Sequence, residues 1–155
     1  MKYILLIFIL LFSACSIKEY ERTQSKIIII KSPNLKFSDL GYLRNTGDAL
    51  ELELFSAGKA IEKISINHLI CTLENCMSKS GFNKYYLNAA YPDEILQNIF
   101  LGKEIYDAKN RIKTDDGFEQ TIEDENVNII YKVSSNVIFF KDRKNKIIFK
   151  IKDIK

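Results

Sequence analysis

From Leu50 to Leu54 the chain reads Leu-Glu-Leu-Glu-Leu. Only a strand puts these three leucines on one side and the two glutamates on the other, because successive side chains alternate there and nowhere else in regular structure. Such a strand has one apolar face and one wet face, and the apolar face needs a cover. Ser56-Ala57-Gly58-Lys59 then turns the chain, and Ile64, Ile66, His68 and Ile70 share a face of the return strand. The pair is an antiparallel hairpin.

The flanking segments extend this reading. Lys26 to Lys31 holds four consecutive isoleucines, a pattern suited to a strand buried on both faces. Leu35 to Leu43 is the next strand, and Asn45-Thr46-Gly47-Asp48 supplies turn chemistry. In the C-terminal third, Val127 to Val133, Val137 to Lys141 and Lys146 to Lys152 read as three strands of a meander. Ser134-Ser135-Asn136 and Asp142 to Asn145 separate them.

The helical part lies between the two β blocks. In Tyr91 to Lys103, Pro92 stands at the expected first helical position, Asp93 and Glu94 suit the positive end of the dipole, and Gly102 is a C-terminal cap. Ile95, Leu96, Ile99 and Phe100 share one face, so this helix should lie against the sheet. Cys76 to Ala90 reads as a second helix through Met77, Phe82, Tyr85 and Tyr86, with Gly81 against it. Asp115-Asp116-Gly117 marks a turn before a short strand, Phe118 to Ile122. The fold class expected is α+β: a curved, mostly antiparallel sheet with helices covering its concave face.

The N-terminus gives an address. Lys2 is a short positive region, Tyr3 to Phe12 is an unbroken apolar run, and Ser13-Ala14 are the small residues that precede Cys15. This is the pattern of a bacterial lipoprotein signal, with Phe12 where the commonest motif has Leu. Residues 1–14 are then the signal peptide, and the Cys15 thiol carries a covalent lipid. Residues 15–25 form a tether, either a short helix or extended, and 26–155 a single domain. Ten apolar residues fall short of the roughly 20 that span a bilayer, and an ordinary secretory signal is the remaining alternative. Ser16, where an Asp would favour the inner membrane, points to the outer membrane, with the domain facing the periplasm, or else the cell exterior. Several acyl chains hold a protein at a membrane where one does not.

A formal net charge of +3 on 155 residues gives no support to nucleic-acid binding. Cys71 and Cys76, spaced C-x₄-C, are in an oxidising compartment either a disulfide or two free thiols. His68 is the only histidine, with no Ser, Cys or Asp constellation around it, so neither an enzyme nor a metal centre is expected and no cofactor beyond the lipid. Asp115, Asp116, Glu119, Glu123, Asp124 and Glu125 do not have the spacing of an EF-hand loop and read as a solvated turn. Lys141, Arg143, Lys144, Lys146, Lys150 and Lys152 make the last hairpin basic, either to contact anionic headgroups or lipopolysaccharide or as the wet face of a sheet.

Tyr91 to Ile105 resembles the Pro-x-x-x-Leu-x-x-aromatic-Leu-x-Gly helix of the LolB/LolA-like outer-membrane lipoprotein receptors and carriers. Pro92, Leu96, Ile99, Phe100 and Gly102 take those positions, Ile99 departing from the aromatic. The Leu50 to Ile64 hairpin and the strands from Val127 to Lys152 are similar to the family's upstream hairpin and closing meander. The resemblance implies a half-open β-barrel whose apolar interior takes the acyl chains of an incoming lipoprotein from a periplasmic carrier and releases them to the membrane. It would assign the cavity to Leu50, Leu52, Leu54, Ile64, Ile66, Ile129, Tyr131, Phe139, Ile147 and Phe149, with Ile95, Ile99 and Phe100 as a movable lid. Plain core packing is the competing reading of every one of these residues. The family's exposed Leu before the turn glycine is missing, leaving Phe55 and Ala57 as the candidate membrane-transfer turn. The alternative function is a non-enzymatic structural or assembly lipoprotein that binds another envelope protein, for example through a strand edge.

Overall fold

The computed structural model describes residues 22–46 and 49–154. The expected signal peptide, Cys15, Ser16 and most of the tether therefore lie outside the described residues, as do Gly47 and Asp48 of the first turn.

Eleven strands are described: β1 (Arg22–Lys31), β2 (Lys36–Asn45), β3 (Leu50–Ser56), β4 (Lys59–Ile66), β5 (Leu69–Cys71), β6 (Cys76–Ser78), β7 (Arg111–Lys113), β8 (Phe118–Glu123), β9 (Asn128–Val133), β10 (Val137–Asp142) and β11 (Ile147–Asp153). Two helices, α1 (Lys79–Tyr86) and α2 (Ile95–Leu101), follow β6, and a short turn of 3₁₀ type spans Tyr106–Ala108. All strands join one open sheet in the order β6-β5-β4-β3-β2-β1-β11-β10-β9-β8-β7. The fold is thus α+β, with every described strand pair antiparallel.

Neighbours in the sheet are neighbours in the chain, except β1 and β11, which pair at its centre from Lys26↔Asp153 to Lys31↔Ile148. The strands at the two edges, β6 and β7, are consecutive in the chain, so the helical segment between them runs from one edge of the sheet to the other.

The Leu50, Leu52 and Leu54 alternation does what the sequence demands. Leu52 pairs with Leu43 on one side and Ile64 on the other, and Leu50 with Ile66. Ala57 and Gly58 close this hairpin, both at positive φ (49° and 77°), which suits the twist of two-residue hairpin turns. Gly41 permits a close approach, since a Cβ there would meet Ile28 Cδ1 at 2.6 Å and Leu54 Cδ2 at 3.3 Å.

Several expectations change. The four isoleucines are not buried on both faces: Ile28 and Ile30 are buried, Ile29 is half-buried, and Ile27 is 43% exposed. Only one face of the sheet carries the core. β1 begins at Arg22, so residues 22–25 of the expected tether are strand, paired with β2 from Arg22↔Asn45 to Ser25↔Tyr42. The return strand ends at Ile66, and His68 is exposed in a bend. Ile70 belongs to β5, folded back onto β4 through Ile66↔Ile70. Cys76 to Ser78 is strand, and the first helix starts only at Lys79, where the Ser78 hydroxyl accepts from Gly81 N at 3.0 Å. Pro92 precedes the helix by a turn, its carbonyl accepting from Ile95 N at 3.0 Å. Gly102 does cap α2, at φ 64°.

Candidate functional site

The site is built from one row of side chains after another on a single face of the sheet. Ile30 pairs with Phe149, Phe149 with Phe140, and Phe140 with Tyr131, so the register carries the apolar face unbroken from the N-terminal strands through the C-terminal ones. The aromatic rings meet edge to face, Phe140 and Phe149 at 5.8 Å and Phe118 and Tyr131 at 5.7 Å between centroids. α2 lies on this face: Ile95, Leu96, Ile99 and Phe100 are all buried, and Phe100 stands on Phe149 at 6.0 Å.

Leu50, Leu52, Leu54, Ile64, Ile66, Ile95, Ile99, Phe100, Ile129, Tyr131, Ile147 and Phe149 therefore come together in one packed core, the arrangement that plain core packing also gives. Phe139 does not. It pairs with Lys150 and Lys132 and points to the opposite face, while its neighbour Phe140 fills the core position. Two adjacent phenylalanines in one strand must face opposite ways, and only the register decides which points inward.

Two polar side chains of the sheet, Asp142 at the end of β10 and Gln120 within β8, hold the helical segment down, and sequence reasoning missed them. Asp142 is fully buried at the start of the β10–β11 turn. Its Oδ2 accepts from the Tyr91 hydroxyl and from Asn145 Nδ2, each at 2.7 Å, and its Oδ1 from Lys144 N at 2.9 Å. Burial works to raise this carboxyl, but the hydrogen bonds from Asn145, Tyr91 and Asn128 outweigh it and hold Asp142 below its ordinary value. Tyr91 is raised by burial first and then by its bond to Asp142.

Gln120 is the second anchor. Its side-chain amide takes the place of a pairing strand, accepting from Ile105 N and donating to Ile105 O, both at 2.9 Å, and donating also to Lys109 O at 2.9 Å. The residues it brackets are unusual: Tyr106, Asp107 and Ala108 all have positive φ, between 49° and 60°. Burial pushes the Tyr106 hydroxyl up to about 12, with Asp124 and Asp142 adding to it. A sequence signal for Gln120 existed, because it lies two residues from both Phe118 and Ile122 and so on their buried face.

The remaining candidates disperse. Phe55 is half-buried, edge-on to the Tyr42 ring at 5.3 Å, while Ala57 is exposed at the hairpin tip. Cys71 and Cys76 are bonded, directly across the β5–β6 pair with Cα atoms 3.9 Å apart. Glu51, expected on a wet face, is only 1% exposed and is paired with Lys63 at 3.2 Å. Of the acidic stretch, Glu119 pairs with Lys132 at 2.6 Å and Asp124 accepts from Asn126 N and Val127 N. Among the described residues, no three His, Cys, Asp or Glu side chains group as metal ligands, and no helix is long and apolar enough to cross a membrane.

No family model, no curated protein and no solved structure matches this chain.

Proposed function

We propose that this chain is a lipid-anchored envelope protein, held at the outer membrane through Cys15, which receives the acyl chains of lipoproteins from a periplasmic carrier and passes them to the membrane. The supporting observation is the single apolar face shared by both halves of the sheet, with a short helix lying on it through apolar side chains. In this reading the sheet curves around that face as a half-open barrel, and α2 is the lid. The packed state is the empty one, and hydrocarbon enters by replacing the lid's own side chains.

The energetics allow such an exchange. Lifting Ile95, Leu96, Ile99 and Phe100 out of the core costs about 2 kcal/mol each. Relative to water, a long acyl chain gains about 0.8 kcal/mol for each CH₂ it buries, on the order of 10 kcal/mol in all, so the exchange runs where the carrier gives up the chain at little cost. Asp142 and Gln120 stay behind as fixed points at which the helical segment is held while α2 moves.

Depletion followed by membrane fractionation tests the reading. Mislocalised lipoproteins, restored by wild type and not by Ile99→Asp, are the expected result. Normal delivery of lipoproteins without this protein removes the carrier function.

One observation favours the assembly-factor reading as an alternative. The edge strand β7 is short and, among the described residues, unpaired on its outer side, with Ile112 68% exposed, the kind of edge to which another envelope protein adds a strand. Ile112→Pro would then abolish the interaction, leaving acyl binding unchanged.

A further inference from the structure

The face of the sheet turned away from α2 has a pattern that the core does not explain. Three cross-strand rows traverse it over β2, β1, β11, β10 and β9. The first, which ends at β10, runs Leu40, Ile27, Lys152, Val137. The second runs Ser38, Ile29, Lys150, Phe139, Lys132. The third runs Lys36, Lys31, Ile148, Lys141, Ile130. Lysines and apolar side chains are interleaved throughout, and no carboxylate stands in any of the three rows.

We propose that this face is a docking surface for a membrane rich in anionic phospholipid. Five strands at about 4.8 Å spacing and three rows at about 7 Å make a platform roughly 19 Å by 14 Å, the scale of several headgroups. Of the acids elsewhere on the same side, Glu53 pairs with Arg44 at 2.6 Å, Glu51 with Lys63 and Glu119 with Lys132, while Glu123 accepts from Asn128 Nδ2 at 2.9 Å and Asp116 lines a hollow beside Phe139 and Lys150. Lys31, Lys36, Lys141, Lys150 and Lys152 make no ion pair among the described residues. An excess of unmatched cations over a broad face complements a surface of phosphates, and the interleaved Ile27 and Phe139 provide apolar contact at the depth where lysine stems lie along the lipid.

Chain length agrees with this. β1 crosses the centre of the platform, and Arg22 at its start is seven residue steps from Cys15, which limits the anchored domain to roughly 25 Å from the acylated residue. With this side on the membrane, the face bearing α2 looks towards an arriving carrier. The proposal rests on the anchored reading only through that distance.

The test uses the full chain with vesicles of phosphatidylcholine, with or without added phosphatidylglycerol, so that any contribution of the N-terminal apolar run is common to both arms. Each lysine near an anionic surface adds about fivefold in affinity. Wild type is expected to prefer the anionic vesicles by about tenfold or more, a preference lost at high salt. The triple variant Lys31→Glu, Lys150→Glu, Lys152→Glu should remove it, and Lys31→Gln, Lys150→Gln, Lys152→Gln should weaken it if the reversals impair folding. Lys84→Glu, Lys103→Glu, Lys109→Glu changes the charge equally off the platform and should retain it.

An equal loss in that control, or no anionic preference in wild type, overturns the proposal. So does binding to soluble heparin as tight as to vesicles and indifferent to Ile27→Ser, which would identify an anionic polymer as the partner. Failure of the anchoring reading registers separately, as an unacylated mass for the protein extracted from its own cells.

Discussion

The Tyr91 hydroxyl donates to Oδ2 of the buried Asp142 at 2.7 Å, tying the segment that leads into α2 to the turn between β10 and β11. The same carboxylate gathers backbone N–H groups of Asn128, Lys144 and Asn145, so one side chain fixes a turn and a neighbouring element together.

That arrangement makes stability depend on acid. The folded carboxyl of Asp142 lies below its unfolded value of about 3.9. Its contribution is therefore complete above that value and is lost as pH falls through the folded value. Asp142→Asn should cost about 2 to 3 kcal/mol at neutral pH, and Tyr91→Phe about 1 to 2 kcal/mol. Urea unfolding at pH 7 and at pH 3 measures both, and the cost of Asp142→Asn should shrink at the lower pH. An equal cost at the two values would show that the charged form is not what the turn requires.

Phe139 and Phe140 are neighbours with opposite fates, and their truncation should separate the two faces of the sheet. Phe140→Ala opens a cavity among Tyr91, Tyr131 and Phe149, at a cost of about 3 to 5 kcal/mol. Phe139→Ala removes a half-buried ring from the lysine-bearing face and should cost about 1 kcal/mol. Comparable losses in thermal unfolding would contradict the register.

These residues also mark how far the sequence reads. Leu50 to Leu54 and the C-terminal strands were legible because strict alternation leaves one way to bury a face. The Phe139-Phe140 pair and the isoleucines from Ile27 to Ile30 were not, because an uninterrupted apolar run has no phase until pairing to Phe149 and Phe37 supplies it. α2 was legible from its apolar face and Gly102. Its start was misplaced because Pro92, equally at home in a turn, forms one here. His68 reads as strand by its spacing from Ile66 and Ile70, yet a two-residue bend keeps the same spacing with the chain reversed. Asp142 was hidden in the turn that it organises.

The Cys71–Cys76 bond should be a modest and local staple. It closes a short loop at the edge of the sheet, for which chain entropy gives about 2 kcal/mol. Reductant, or the double substitution Cys71→Ser, Cys76→Ser, should lower unfolding stability by that amount, and amide exchange should quicken first at Ile70 and Met77, which pair beside it. Protection unchanged by reductant would mean that the β5–β6 pairing carries itself.

Gln120 and Ala108 should respond with opposite signs. Removing the amide by Gln120→Leu strands the Ile105 N–H and both carbonyls that it serves, in a buried setting, for a loss of about 3 kcal/mol. Ala108, by contrast, is exposed and held at φ 60°, where a Cβ is disfavoured, so Ala108→Gly should stabilise by up to about 1 kcal/mol. In the Gln120→Leu background the left-handed turn has lost its clamp, so the gain from glycine should fall towards zero or reverse. A double-mutant cycle by urea unfolding measures that coupling, and simple additivity would show that Gln120 does not hold the turn in its strained conformation.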